Sequence, residues 1–270
     1  MTPRLPMVAP PCALIIHGVA RMHAVADAAS ELVDEARAGE RFTVLAEAGE
    51  WSFVQGPASY LGWVRREHLA AVDERRAQRV IAVPFADVHE RPDHTSSVRE
   101  RFPAGAAIHV SEQHGPWLQV MSGGPAAPVV KGWIAAGSTV HLSELPRRAP
   151  VADDLIGTAE SYLGVPYLWG GTTHEGIDCS GLTQAVFRLN GLGLPRDADQ
   201  QAVSGRAVPL GDIRPGDLLF FGTAERITHV ALATGEQAFI HAPMSGGVVE
   251  RRALGGDRVP RIVRRHLPDA

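Results

Sequence analysis

The chain has little cysteine. Of its 270 residues two are cysteine, Cys12 and Cys179, too few and too far apart for a disulfide framework or a thiolate zinc site. No stretch reaches the roughly 18 consecutive apolar residues of a membrane span. The N-terminus "MTPRLPMVAPPCALIIHG" has one arginine and an apolar stretch, but prolines at 6, 10 and 11 interrupt it and no small-x-small cleavage pattern follows. No signal peptide is read there, and Cys12 does not read as a lipoprotein cysteine. There is no excess of positive charge either: the net charge of -4 offers no general attraction to nucleic acid or anionic lipid. Six arginines between Arg251 and Arg265 form a local basic stretch, read as a solvated strand face. With 45 % hydrophobic and 21 % charged residues the composition excludes a disordered chain, and its length suits two or three domains of roughly 100 to 150 residues.

What is present begins with a repeat. "ARAGERFTVLAEAGEWSFV" and "FPAGAAIHVSEQHGPWLQV" align with Gly39 over Gly105 and Trp51 over Trp117, both offset by 66 residues. Each is followed by a glycine-tryptophan pair and a β-branched residue, Gly62-Trp63-Val64 and Gly132-Trp133-Ile134, now offset by 70 because the second copy has a longer loop. Short β-branched and aromatic segments split by Gly, Pro and charged turns predict two small all-β barrels. "HLSELPRRAPVADD" reads as a linker ending in an aspartate able to cap a helix. From Asp154 the apolar positions 155, 156, 159, 162 and 163 lie on one helical face stopped by Gly164, and a third domain begins.

In "YLWGGTTHEGIDCSGLTQAVFRL" Cys179 stands between a glycine-rich loop and a predicted helix whose Leu182, Ala185, Val186 and Leu189 fall at i, i+3, i+4 and i+7. A helix N-terminus stabilises a thiolate, so Cys179 is expected to have a lowered pKa and to act as a nucleophile. The bland alternative is a small buried hydrophobe. Trp169, Gly170 and Gly171 read as a tight packed turn, and His174 as exposed in its loop. "RPGDLLFF" reads as a turn and a buried strand.

"RITHVALATGEQAFIHAP" reads as two strands joined at "TGE". His229 and His241 are symmetric about Gly235, which predicts directly opposed histidines with Cβ atoms roughly 5 Å apart. One imidazole could then take the thiol proton while the other orients it. A zinc site is the rival, lacking a clear fourth ligand. The order Cys, His, then a polar third residue favours a papain-like arrangement.

The residues "VPYLWGG…DCSGL…PRDADQQ…RPGDLLFF…THVALATG…FIHA", over about 155 to 267, resemble the NlpC-type cell-wall cysteine peptidases. Positions from about 18 to 72 and 80 to 145 resemble bacterial SH3-like domains. The resemblance implies Cys179 as nucleophile, His229 as general base and His241 as the residue orienting it. It also implies γ-D-glutamyl-L-diamino acid endopeptidase activity on stem peptides with a free N-terminal L-alanine. Tyr167, Asp178, Ser180 and Asp197 match substrate-lining positions, with Asp197 facing the substrate ammonium. Ala198 departs from the serine often found there. Glu31 and Tyr60 match first-repeat residues that reach over the substrate; alone, each also reads as an exposed strand-edge charge and a barrel-core aromatic. Glu31 maps onto Ser97 in the second copy, so the first repeat is expected to close the site and the second to act as a spacer.

The expectation is therefore a multidomain chain: two SH3-like all-β barrels (1–75 and 76–145), a linker (146–152) and a papain-like α+β cysteine peptidase domain (153–270). It needs no cofactor or metal. Its partner is a murein tripeptide or tetrapeptide, with no nucleic acid and no membrane span, and it is expected to be monomeric. Without an export signal it is expected in the cytoplasm, acting on recycled wall peptides. The alternatives are a wall-peptide-binding protein with an inactive catalytic domain and an amidase or acyltransferase on the same fold.

Overall fold

The computed structural model describes residues 11–72, 77–122, 129–223, 225–235, 237–244, 246–256 and 258–268. Residues 1–10, the expected boundary at 75/76 and the longer loop of the second repeat lie outside the described residues.

The first repeat folds into seven short strands: β1 (Cys12–Ile15), β2 (Val19–His23), β3 (Leu32–Arg37), β4 (Arg41–Ala48), β5 (Trp51–Gln55), β6 (Leu61–Arg65) and β7 (Leu69–Ala71). They form one sheet in the order β3-β2-β6-β5-β4-β1-β7. Alternation sends Ala20, Met22, Val54 and Val64 inward, where they are essentially inaccessible to water. The second repeat supplies β8 (Arg79–Ile81), β9 (Phe85–His89), β10 (Val98–Pro103), β11 (Ala107–His114), β12 (Trp117–Ser122), β13 (Val129–Ala135) and β14 (Thr139–His141). Their order, β10-β9-β13-β12-β11-β8-β14, is the first order with every number raised by seven.

The repeat extends to side chains. The ring of His23 meets Trp51 edge-on at 5.5 Å, and that of His89 meets Trp117 at 5.3 Å. The Nδ1 of each histidine lies 3.2 Å from a backbone oxygen, Ser30 in one copy and Ser96 in the other. After β3 and after β10 the chain turns at Gly39 and Gly105 with φ of +82° and +79°, a region glycine enters without steric cost. Gly39 also lies against the second unit: a Cβ there would fall 2.5 Å from the Ala107 carbonyl oxygen. Beside it the Ala107 N–H donates to the Ala38 carbonyl at 2.9 Å, so the two units touch edge to edge.

The third domain contains α1 (Ala152–Glu160), β15 (Thr172–Thr173), β16 (Gly176–Ile177), α2 (Cys179–Leu189) and α3 (Ala198–Ala202). The strands β17 (Arg206–Ala207), β18 (Leu218–Gly222), β19 (Ile227–Gly235), β20 (Ala238–His241), β21 (Glu250–Ala253) and β22 (Ile262–Arg265) follow. Their sheet runs β17-β22-β18-β19-β20-β21. Period-two alternation gives it two buried faces. Phe220, Val230, Leu232 and Ile240 pack with Leu182, Val186 and Phe187 of α2, while Leu219, Ala231, Phe239 and Val263 close a smaller cluster opposite.

Several expectations need correction. The helix α1 begins and ends earlier than the apolar pattern implied; Ser161–Gly164 form a turn, and Leu163 is exposed. Asp154 sits in its first turn and reaches back to the Val151 N–H at 2.8 Å. The basic stretch is not simply a solvated face, because Arg265 is buried and pairs through both Nε (2.6 Å) and Nη2 (2.7 Å) with the buried Asp217. His174 is half-buried, its ring stacked on Tyr162 at 3.8 Å, and burial pushes its pKa down to about 4. Trp169 is 60 % exposed and does not pack into its turn.

Candidate active site

The loop before α2 must present Cys179 at the first helical turn, and Asp178 does this as N-cap. One carboxylate oxygen accepts from the Gly181 N–H at 2.6 Å; the other accepts from the Gly170 N–H at 2.8 Å. Gly170 (φ +76°) has no room for a side chain, since a Cβ would lie 2.2 Å from the Leu32 carbonyl of β3. The loop that carries Cys179 is thus clamped between its own helix and the first β unit.

Cys179 is 9 % exposed and lies on a cleft of about 570 Å³ between that unit and the third domain, within the size range of small-molecule sites. Its walls include Glu31 and Tyr60 from the first unit, and Tyr167, Trp169, Asp197 and Arg226 from the third domain; among the described residues, none of the second unit lines it. Asp178 and Ser180 also border the cleft, but their polar atoms are engaged internally. Ser180 donates to Asp178 at 3.2 Å, and the buried Arg196 grips Asp178 with two nitrogens (3.1 and 2.6 Å) and Ser180 with one (3.0 Å).

The thiol departs from expectation. Burial, with the neighbouring Asp178 carboxylate, pushes Cys179 up to about 11, against the opposing effect of the Val230 and Ser180 N–H groups. A helix N-terminus contributes at most about 2 kcal/mol, or roughly 1.5 pKa units, whereas full burial shifts a pKa by up to about 3–5 units. Desolvation wins, and the resting group is a thiol.

The histidine pair is present in a different register. β19 and β20 pair Leu232 with Ile240 and Ala233 with Phe239, then slip at a bulge so that the last pair is Gly235 with Ala238. Gly235 therefore ends a strand and does not centre the turn. Continuing the register puts His241 across from Ala231, diagonal to His229, where residues stand roughly 7–8 Å apart and Cβ atoms somewhat closer. Imidazole rings bridge that span: His229 Nε2 and His241 Nδ1 are 2.8 Å apart. Burial, reinforced by His241, pushes His229 down to about 4; burial also lowers His241, with Glu250 acting in the opposite sense. The Glu250 carboxylate stands 3.5 Å from His241 Nε2. Among the described residues no hydrogen bond joins the Cys179 thiol to the His229 ring, although the thiol meets the backbone N–H of the adjacent Val230. Such contacts commonly tighten only when substrate binds.

Acidic groups gather at the seam with the first unit. The Tyr60 hydroxyl donates to Asp197 at 3.1 Å, and the Gln200 amide donates to the same carboxylate at 3.2 Å. Burial raises the Asp197 pKa, opposed by the Tyr60 hydrogen bond and by Arg196. Trp169 Nε1 donates to Glu31 at 2.8 Å. Tyr60 is also half in the barrel core and Glu31 is exposed, so the bland and the functional readings of each describe different ends of one side chain. Sequence reasoning missed Arg196, Asp34 and Glu250. Glu250 faces His241 across β20 and β21, but no motif marks it. Among the described residues, no group of three or more His, Cys, Asp or Glu side chains is placed to hold a metal ion.

Residues 164–262 match the NlpC/P60 family model, and residues 22–69 match the bacterial dipeptidyl-peptidase Sh3 domain. A Bacillus subtilis protein named gamma-D-glutamyl-L-lysine dipeptidyl-peptidase is 32 % identical over 225 residues, covering 78 % of this chain and 72 % of that protein. A Lysinibacillus sphaericus protein named dipeptidyl-peptidase 6 is 30 % identical over 257 residues, covering 90 % and 91 %. The crystal structure of an NlpC/P60 family protein from Bacillus cereus superposes with a TM-score of 0.82 at 23 % identity, over 95 % of this chain and all of that one. That likeness extends the shared fold through all three parts of the molecule.

Proposed function

The chain belongs to the NlpC/P60 family and is a cysteine peptidase, and from that premise we propose that it cleaves the γ-D-glutamyl to L-diamino acid bond of peptidoglycan stem peptides carrying a free N-terminal L-alanine. The observation that carries this reading is the seam of Asp197, Tyr60 and Glu31 on the cleft that holds Cys179. A half-buried carboxylate whose pKa is raised by burial gains most from an ammonium partner, and a blocked amine would leave it unpaired. The names of the relatives point the same way.

The chemistry starts from two neutral groups. Glu250, its pKa lowered chiefly by the Arg252 hydrogen bond, favours a proton on His241 Nε2. His241 Nδ1 then accepts from His229 Nε2–H, which leaves His229 Nδ1 as the basic nitrogen. On substrate binding His229 takes the Cys179 proton as the sulfur bonds to the γ-carbonyl carbon of D-glutamate. The Tyr167 hydroxyl, kept protonated by burial and by the neighbouring Cys179 and Asp178, and the Cys179 N–H that opens α2 are the donors for the oxyanion. His229 returns the proton to the departing amine of the diamino acid. It then deprotonates a water that releases the dipeptide as a carboxylate and restores the thiol.

We assign the two β units to SH3-like barrels and the third domain to a papain-like arrangement on the same grounds. Incubating L-Ala-γ-D-Glu-diaminopimelate with wild type and Cys179→Ala, with products followed by mass spectrometry, tests the activity. Wild type is expected to release L-Ala-D-Glu and free diaminopimelate, and the variant neither. Equal cleavage by both, or cleavage at another bond, contradicts the proposal.

A further inference from the structure

Among the described residues Arg196 is the largest fully buried side chain, 1 % exposed, and its bonds run in two directions. Toward the third domain it clamps both oxygens of Asp178 and the hydroxyl of Ser180, the residues on either side of Cys179. Toward the first β unit its Nε donates at 3.0 Å to Asp34 of β3, 162 positions away in sequence. The planar fork thus has its directions filled by two domains at once, which fixes its orientation more firmly than either carboxylate alone could. Arg196 also immediately precedes Asp197, so its placement sets the acid at the amine seam as well.

We propose that Arg196 is a positioning residue through which Asp34, a carboxylate of the first β unit, holds the nucleophile loop in its productive geometry, so that turnover depends on a β-unit residue that does not line the cleft. The repeat supplies an independent observation. Asp34 maps onto Glu100 in the second unit, and Glu100 also reaches out of its own unit, accepting from the Gly18 N–H at 3.1 Å and standing 3.5 Å from His17. The same strand position is a docking acid in both copies, turned inward to a neighbouring unit in one and to the catalytic loop in the other. Around Asp34 the strand continues the same contact: Glu35 accepts from the Thr172 N–H at 2.8 Å, and Arg37 donates to the Thr172 carbonyl.

Removing Asp34 does not strand a buried charge, because Asp178 still neutralises Arg196; the variant is therefore expected to fold. A small displacement of a reacting group costs up to about 100-fold in rate, and loss of one of the two anchors is expected to cost about tenfold. The inference rests on the proposed substrate only for its turnover assay. The test compares wild type, Asp34→Ala and Asp34→Asn by kcat and KM on the tripeptide, and by the rate of Cys179 alkylation with iodoacetamide, which needs no substrate. Asp34→Ala is expected to lower kcat about tenfold with KM within about twofold, and to change the alkylation rate. Asp34→Asn, whose amide oxygen still accepts from Nε, is expected to recover most of the loss. Asp34→Ser stands in, with the same outcomes, should the alanine variant not fold. A kcat within twofold of wild type with unchanged alkylation overturns the positioning role, as does a loss confined to KM. A changed alkylation rate in a protein whose wild type does not cleave the tripeptide retains the positioning role and overturns the substrate assignment.

Discussion

At position 31 the first β unit carries a glutamate that accepts from Trp169 across the cleft; 66 residues later the second unit carries Ser97, exposed and away from the cleft. The backbone at the two positions is alike, with Ala24 N–H donating to the Glu31 carbonyl at 3.0 Å and Glu90 N–H to the Ser97 carbonyl at 2.9 Å. The histidine–tryptophan contacts, the glycine turns and the strand order are alike as well. What differs lies on the third strand of each unit and the loop before it: Glu31 and Asp34 face the third domain, whereas Ser97 is exposed and Glu100 contacts the first unit. Two copies of one scaffold thus share what holds them folded and diverge where they meet their neighbours. The first unit borders the cleft with a few side chains at one edge, while its interior matches that of the second unit.

The largest expected effects test the shared half of this comparison. Trp51→Ala and Trp117→Ala each empty a buried aromatic position and are expected to cost about 3–5 kcal/mol, read from urea unfolding followed domain by domain. Similar costs in both units support equivalent cores; a cost in one alone breaks the equivalence.

The divergent half is tested next at the seam. Asp197→Asn is expected to lower kcat/KM on the free-amine tripeptide about 100-fold, the worth of a charge-assisted contact of about 3 kcal/mol. It should leave the slow cleavage of an N-acetylated peptide unchanged. An equal loss on both peptides would assign Asp197 to folding and not to the amine.

The two cysteines offer a third contrast, Cys12 exposed on the first unit and Cys179 buried on the third domain. In a Cys12→Ser chain, alkylation of Cys179 by iodoacetamide is expected to climb about tenfold per pH unit through pH 9, because the group stays a thiol until about 11. The direction follows from burial raising the pKa: the reactive thiolate is scarce below that value and accumulates as pH rises through it. A rate plateau reached below pH 7 would mean a preformed thiolate–imidazolium pair.

The smallest effect is at the exposed edge. Glu31→Gln is expected to raise KM about fivefold, since an exposed charge contributes only about 1 kcal/mol, while Ser97→Ala is expected to leave KM unchanged. A matching change from Ser97→Ala would remove the functional difference between the units.

The repeat was legible because glycines that turn with positive φ and tryptophans that fill a barrel recur at a fixed spacing, and both are set by local geometry. The strands were legible from their apolar runs and turn residues, and the helix that opens at Cys179 from its i, i+3, i+4 and i+7 spacing. The His229–His241 partnership was legible as a hairpin, but its register was not, since the bulge between Ala233 and Gly235 leaves no mark in side-chain pattern. Asp34 and Arg196 were invisible for another reason. Their pairing joins residues 162 apart through domain docking, and in sequence each is one more charged residue. The thiol was misjudged because helix position is readable from sequence and depth of burial is not.

We propose that the first β unit completes a site for a free amine beside Cys179. It is tested most directly by kcat/KM on L-Ala-γ-D-Glu-diaminopimelate and on its N-acetylated form, in wild type and in Tyr60→Phe, which removes the hydroxyl bonded to Asp197. Wild type is expected to prefer the free amine by about 100-fold or more, and the variant to show a clearly smaller ratio. Equal cleavage of the two peptides by wild type, or an unaltered ratio in the variant, would contradict it.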